Sequence, residues 1–243
     1  MMTESGEPRT WGPLSAPERR VLGVLVEKAK TTPDAYPMSV NAVTVACNQK
    51  TARDPLTNYD NDDSEETLQA LRKKGLTVMV DAGGRVMRWR HDLYECWKIT
   101  KVEAAVLAEL WLRGAQTEGD LRARAARMEP IADLPTLQTI LQGLQKRGMV
   151  VYLTPPGVRR GVIVTHGFFT PEALERERAK HAHAIASADA DDPPAASPGA
   201  ASGSPRSALA EKVERLEAEV ERQGAEIREL AEQVRSLKNA LGD

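Results

Sequence analysis

Three sets of residues have types and spacings that could do chemistry. The stretch YPMSVNAVTVACNQKTARDP, Tyr36 to Pro55, holds one thiol, three side-chain amides and two cations, with Asp34 and Asp54 in and beside it. A nucleophilic cysteine would need a histidine or clustered cations to lower its pKa, and no histidine lies near Cys47 in sequence. The helix rules give a plainer reading. Ser39 stands where an N-cap hydroxyl belongs, and Val40, Val43 and Cys47 then fall at i, i+3 and i+7 on one face. Cys47 is therefore expected as a small buried hydrophobe, and Asp34, Arg53 and Asp54 as capping and loop-fixing ion pairs.

The second set is basic. Arg122, Arg124 and Arg127 share one predicted helix, Lys146 and Arg147 close the next, and Arg159 and Arg160 lie in the turn that follows. Cations so placed could neutralise phosphates, although the bias is small. Residues 99–170 hold nine Lys and Arg against six Asp and Glu, residues 14–98 thirteen against twelve, and residues 171–243 ten against fifteen.

The third set is His91, His166, His181 and His183 with Cys47 and Cys96, too few and too scattered for a zinc site or a disulfide framework. No GxSxG, phosphate-binding glycine loop or ligand-spaced constellation accompanies them. The expectation is a protein that is not an enzyme, with no metal and no cofactor. The first residues, MMTESGEPRTWGPLS, lack a basic segment followed by an apolar core, and no apolar run is long enough to span a bilayer. A cytoplasmic protein with no membrane partner is expected.

An internal repeat positions these residues. Leu14-Ser15-x-x-Glu18-x-x-Val21-Leu22-x-x-Leu25 recurs as Ile99-Thr100-x-x-Glu103-x-x-Val106-Leu107-x-x-Leu110, each copy opening on a capping box. Ser39 and Val43 match Thr117 and Leu121 in a second helix. Leu68-x-x-Leu71-x-Lys73-Lys74-Gly75-Leu76 matches Leu141-x-x-Leu144-x-Lys146-Arg147-Gly148-Met149 in a third, where glycine is the expected left-handed cap. Each copy then turns β-like. Leu76, Val78 and Val80 alternate before Val86 to Arg90 return with Met87 and Trp89 on one face, and Met149 to Leu153 pair with Val162 to Val164. The predicted fold is mainly α with small β-wings (α+β): two tandem winged-helix domains, at 14–98 and 99–170, behind a disordered N-terminus at 1–13.

The segments EKAKTTPDAYPMSVNAVTVACNQKTARDP, Glu27 to Pro55, and LRGAQTEGDLRARAARM, Leu112 to Met128, resemble the two signatures of the YceH family of uncharacterised bacterial proteins. The resemblance covers residues 14 to 170, and the ending Leu241-Gly242-Asp243 is similar to that family's terminus. It implies tandem winged helices in a cytoplasmic protein and supplies no activity.

Beyond the repeats, Thr170-Pro171-Glu172 begins a polar helix expected over 171–188, with His181 and His183 solvated. Residues 189–207, rich in Pro, Ala, Gly, Ser and Asp, are expected to form a flexible linker about 25 Å end to end. In the tail, 208–243, Leu209, Val213, Leu216, Val220, Gln223, Ile227, Leu230, Val234, Leu237 and Leu241 alternate spacings of four and three. β-branched residues at a and Leu at d predict a parallel coiled-coil homodimer, weakened by Gln223 and Gly224. The alternative is a tail helix folded back on the domains.

Two functions follow. One is DNA binding in a regulatory role through the basic residues of the second domain. The other is an adaptor whose winged helices bind protein, a layout similar to that of the segregation and condensation protein B family. Asp60, Asp62, Asp63, Glu65 and Glu66 open the third helix of the first domain, where they repel phosphate and favour the adaptor there.

Overall fold

The structure, a computed structural model, describes residues 11–81, 86–154, 161–189 and 222, with the backbone alone for 183–189. Residues 1–10, Arg159, Arg160, the linker beyond Asp189 and the seam from Leu209 to Leu241 lie outside the described residues, so the expected coiled coil and wing cations do too. The fold is α+β, with helices around two small antiparallel sheets.

The two copies of the repeat build the same sequence of elements. In the first, Ser15 caps α1 (Ala16–Thr31) and Ser39 caps α2 (Val40–Cys47); Asp60 caps α3 (Asn61–Lys73), which leads into the hairpin β1 (Thr77–Val80) and β2 (Arg88–His91). A short helix, α4 (Leu93–Trp97), links the copies. The second copy follows with α5 (Lys101–Arg113), β3 (Gln116–Thr117), α6 (Glu118–Ala125), α7 (Leu134–Lys146), β4 (Val150–Tyr152) and β5 (Ile163–His166). α8 (Pro171–Asp189) closes the described part.

The likeness extends to single hydrogen bonds. Both capping boxes form, Ser15 with Glu18 and Thr100 with Glu103. Gly75 (φ 74°) and Gly148 (φ 71°) end α3 and α7 in the left-handed region, and the next residue returns its N–H to the helix in both copies: Leu76 to the Leu71 carbonyl and Met149 to that of Leu144, each at 2.9 Å. The strand between the first two helices also recurs. β3 pairs with β5, and in copy one its place is taken by a single bridge from Met38 to Trp89.

Two expectations change. The first concerns which face of the hairpin meets the core. Leu76 belongs to the helix cap, so the period of two starts one residue later than its apolar pattern suggests. Thr77 and Met79 face the core with their cross-strand partners His91 and Trp89. Met87, expected beside Trp89, lies ahead of the paired residues and is 41% exposed. The second concerns the N-terminus. Trp11 is half-buried against Trp97 and Phe168, with ring centroids 6.3 and 6.5 Å away, so the packed body includes Trp11–Pro13, ahead of the boundary expected at Leu14.

The described residues from Trp11 to Asp189 belong to one compact unit with a continuous core. Its centre is the crossing of α1 on α5. Gly23 and Ala108 hold the same place in the two copies and meet there. A Cβ on Gly23 would lie 2.8 Å from Leu112 Cγ and 3.3 Å from the Ala108 carbonyl oxygen, so the glycine permits this approach. α5 is buried without a break from Ala104 to Leu112, as a helix covered on all sides must be.

Candidate nucleic-acid interface

Cys47 is fully buried, and burial pushes its thiol up to about 12, against the opposing pull of Arg20 and Arg53. It is a packing residue in the geometry as in the sequence reading. The polar residues after it fix the loop from Asn48 to Tyr59. The Asn48 side chain donates to the Tyr59 carbonyl at 2.7 Å and accepts from the Tyr59 N–H at 2.9 Å. Arg53 is buried, and its five N–H groups reach Ala46, Ala52, Gln49 and both oxygens of Glu27, the shortest at 2.6 Å. Its carboxylate partner is therefore Glu27 on α1, and neither Asp34, which sits exposed in a turn, nor Asp54. The Asp54 N–H instead donates to the Leu112 carbonyl at 2.8 Å, which docks the loop on the second copy.

The candidate phosphate-binding cations divide into engaged and free. Arg147 donates to Glu103 (3.4 Å) and to the Trp97 carbonyl, and its guanidinium lies 5.8 Å from the centroid of Trp11. It locks the end of α7 to the start of α5. Lys74, its counterpart, pairs with Glu18 at 2.6 Å in copy one. Arg122 reaches the carbonyls of Ile131 and Ala132, both at 3.4 Å, and so braces the α6–α7 loop. Arg124 donates to Gln116 at 2.9 Å and lies 3.9 Å from Asp120. Arg127 is exposed and makes one long bond, Nε to the Arg124 carbonyl at 3.4 Å. Lys146 is exposed and has no ion pair among the described residues.

Behind α6 lies Glu109, 3% exposed, with Arg113 Nε at 3.4 Å from Oε1 but out of hydrogen-bond geometry. Burial raises its pKa, and Arg113, Arg127 and Arg124 pull it back. Arg124 on α6 and Arg127 just beyond it thus help to compensate an interior carboxylate.

The solvent face of α7 carries Thr136, Thr139, Gln142 and Lys146 and no carboxylate beyond its cap, Asp133. Gln138, also a candidate for base recognition in the sequence, is tied to Glu118 at 2.9 Å and half-buried. α3 is the opposite case: Asp62, Asp63, Glu65 and Glu66 are all exposed on its first turns.

The buried histidines were legible only through the repeat. His91 pairs with Thr77 and His166 with Val150, so the two occupy one position in the two copies. Burial lowers both, His91 to about 4, with Arg90 adding to the effect; Arg19 adds to it at His166. His181 is half-buried 3.2 Å from Glu177, and not the free surface group expected.

Among the described residues no three His, Cys, Asp or Glu gather as a metal site would require, and no helix is long and apolar enough to cross a membrane.

The family model described as a protein of unknown function, DUF480, matches residues 14–157, from the first capping box to just past β4. The chain belongs to that family. A UPF0502 protein of Rhodopirellula baltica is 46% identical over 169 residues, which are 70% of this chain and 69% of the relative. One from Geotalea daltonii is 46% identical over 143 residues, 59% of this chain and 66% of its own. A third, from Geotalea uraniireducens, is 42% identical over 169 residues, 70% of each chain. The chain thus spans about two thirds of the length of these relatives. This DUF480 membership agrees with the resemblance to the YceH proteins.

Proposed function

We propose that each repeat is a winged helix and that the protein binds duplex DNA, in a regulatory role, through its second repeat. The observation that carries this reading is the contrast between the equivalent helices α7 and α3. α7 offers a groove the exposed Thr139, Gln142 and Lys146, with the cap Asp133 as its one carboxylate, already accepting from Thr136, whereas α3 offers Asp62, Asp63, Glu65 and Glu66. Third helices of winged helices enter the major groove, where Thr and Gln can meet base edges. Lys146, Arg127 and, outside the described residues, Arg159 and Arg160 neutralise phosphates; Arg122, Arg124 and Arg147 position the elements that carry them.

The acidic face of α3 favours a second use, an adaptor surface for a basic protein partner, so the first repeat is assigned to protein and the second to DNA. The tail seam supports a homodimer, which sedimentation of the chain with and without Ser207–Asp243 tests.

Anisotropy titration of a labelled random duplex with the intact protein at low salt tests the DNA reading. Arg127→Ala with Lys146→Ala is expected to weaken binding alike across sequences and to flatten log K against log salt, by up to roughly 0.9 for each phosphate the variant no longer neutralises. Gln142→Ala is expected to change sequence preference. A wild-type protein that binds no duplex at tens of micromolar would overturn the reading.

A further inference from the structure

An open groove of about 390 Å³ lies between the start of α1 and one side of α3. Pro17 from α1, Ala70 from α3 and Tyr59 from the loop ahead of α3 line it. All three are half-buried, so part of each apolar surface stays open to solvent. Asp63, Glu66, Thr67 and Ala70, at i, i+3, i+4 and i+7, form the α3 wall.

The carboxylates of the groove differ in what they already hold. Glu18 is buried, accepts from the Ser15 N–H at 2.8 Å and pairs with Lys74 at 2.6 Å. Asp63 gives one oxygen to the helix cap, accepting from the Asp60 N–H at 3.1 Å. Glu66 is exposed and has neither a hydrogen bond nor an ion pair among the described residues. α3 carries no Lys or Arg before Arg72, so nothing on the helix offsets the charge at this end.

The second repeat shows that the fold does not need that charge. The places of Asp63, Glu66, Thr67 and Ala70 are taken there by Thr136, Thr139, Ile140 and Gly143, and α7 forms with the same thirteen residues as α3. In Glu66 the first repeat therefore holds a free carboxylate beside an apolar groove that stays open. That combination suits a cation carried on an apolar stem.

We propose that the groove docks an arginine of a protein partner, presented in a short basic segment. Its guanidinium pairs with the Glu66 carboxylate and lies against the Tyr59 ring, while its methylene stem rests on Pro17 and Ala70. Arginine suits the site better than lysine, because a planar guanidinium meets a carboxylate and an aromatic face together. The surrounding Asp62, Asp63 and Glu65 attract the flanking cations of such a segment and repel nucleic acid. The proposal rests on the reading of the first repeat as an adaptor surface and gives that surface its anchor.

The test is NMR titration of the isotope-labelled full chain at about 0.15 M salt. The probes are acetyl-Leu-Arg-Ala-Leu-Arg-amide, its citrulline analogue, which keeps the shape of arginine without the charge, and deca-arginine. Saturable shifts at the amides of Glu66, Thr67 and Ala70 are expected with the pentapeptide, with Kd of about 1 mM or tighter, and none with the citrulline analogue. Glu66→Gln is expected to weaken binding about fivefold, the upper end for a solvent-exposed ion pair. Ala70→Leu, which narrows the groove without changing charge, is expected to weaken it by a similar factor; both variants keep good helix formers at the surface of α3. Asp62→Asn with Glu65→Gln removes two charges outside the groove and is expected to change pentapeptide affinity by less than about twofold. No saturable pentapeptide shift at about 10 mM, or affinity unchanged in both Glu66→Gln and Ala70→Leu, would overturn the groove. In that case deca-arginine binding that disappears in the Asp62 and Glu65 variant leaves the adaptor reading standing alone, and failure of both peptides to bind removes the two together.

Discussion

Replacing Arg53 by Ala should be among the most damaging single changes in the chain. The Arg53 side chain is 0% exposed and that of Glu27 16%, and their closest approach is 2.6 Å. Removing one partner of a buried pair costs about 3–5 kcal/mol, because the remaining charge stays desolvated. The carbonyls of Ala46 and Ala52 lose their donors too, the second on a residue held at φ 59°. Against this, the exposed edge of Glu27 can turn to water or to Lys28, now 3.9 Å away. We expect a loss of about 4 kcal/mol, and recovery of about half when Glu27→Gln is added, since most of the penalty is the orphaned carboxylate. Urea unfolding followed by tryptophan fluorescence measures it cleanly, because all four tryptophans of the chain, Trp11, Trp89, Trp97 and Trp111, lie in the compact unit and report on it alone. A loss below about 1 kcal/mol, or a double variant no more stable than Arg53→Ala, would refute the reasoning.

Acid should destabilise the same unit through its histidines. His91 titrates at about 4 when folded and near 6.5 when unfolded, so on acidification the unfolded chain takes the proton first. Its stabilisation is complete above about pH 6.5 and is lost as pH falls toward 4; the loss amounts to about 2 kcal/mol by about pH 5, with His166 acting in the same direction. Chemical denaturation across that window should show the slope, and His91→Phe should reduce it; an equal slope in both proteins would contradict the assignment. The thiols should separate as well. A small thiol reagent is expected to modify exposed Cys96 in the native protein and Cys47 only after unfolding, and rapid native labelling of Cys47 would refute its burial.

How much was legible in the sequence depended on the range of the interaction. Local rules placed the helix starts, because a cap is a bond over three residues: Ser15, Ser39, Thr100 and Thr117 all accept from the predicted N–H. Gly75 and Gly148 ended their helices for an equally local reason, the left-handed φ that a glycine adopts without strain. The face of the first hairpin was misjudged because Leu76 serves the preceding helix and not the strand.

The partners of the basic residues were not legible, although Arg53 was expected in a loop-fixing ion pair and makes one. Arg53 with Glu27, Arg147 with Glu103, and Arg122 with Ile131 join positions that only tertiary packing brings together, and spacing along the chain carries no trace of them. A sequence determines which helices form and which faces are apolar, since those are properties of neighbours three and four residues apart. Which cations stay free to meet a phosphate is decided only when α1 crosses α5 at Gly23 and two distant sets of charges are forced to find partners or go without.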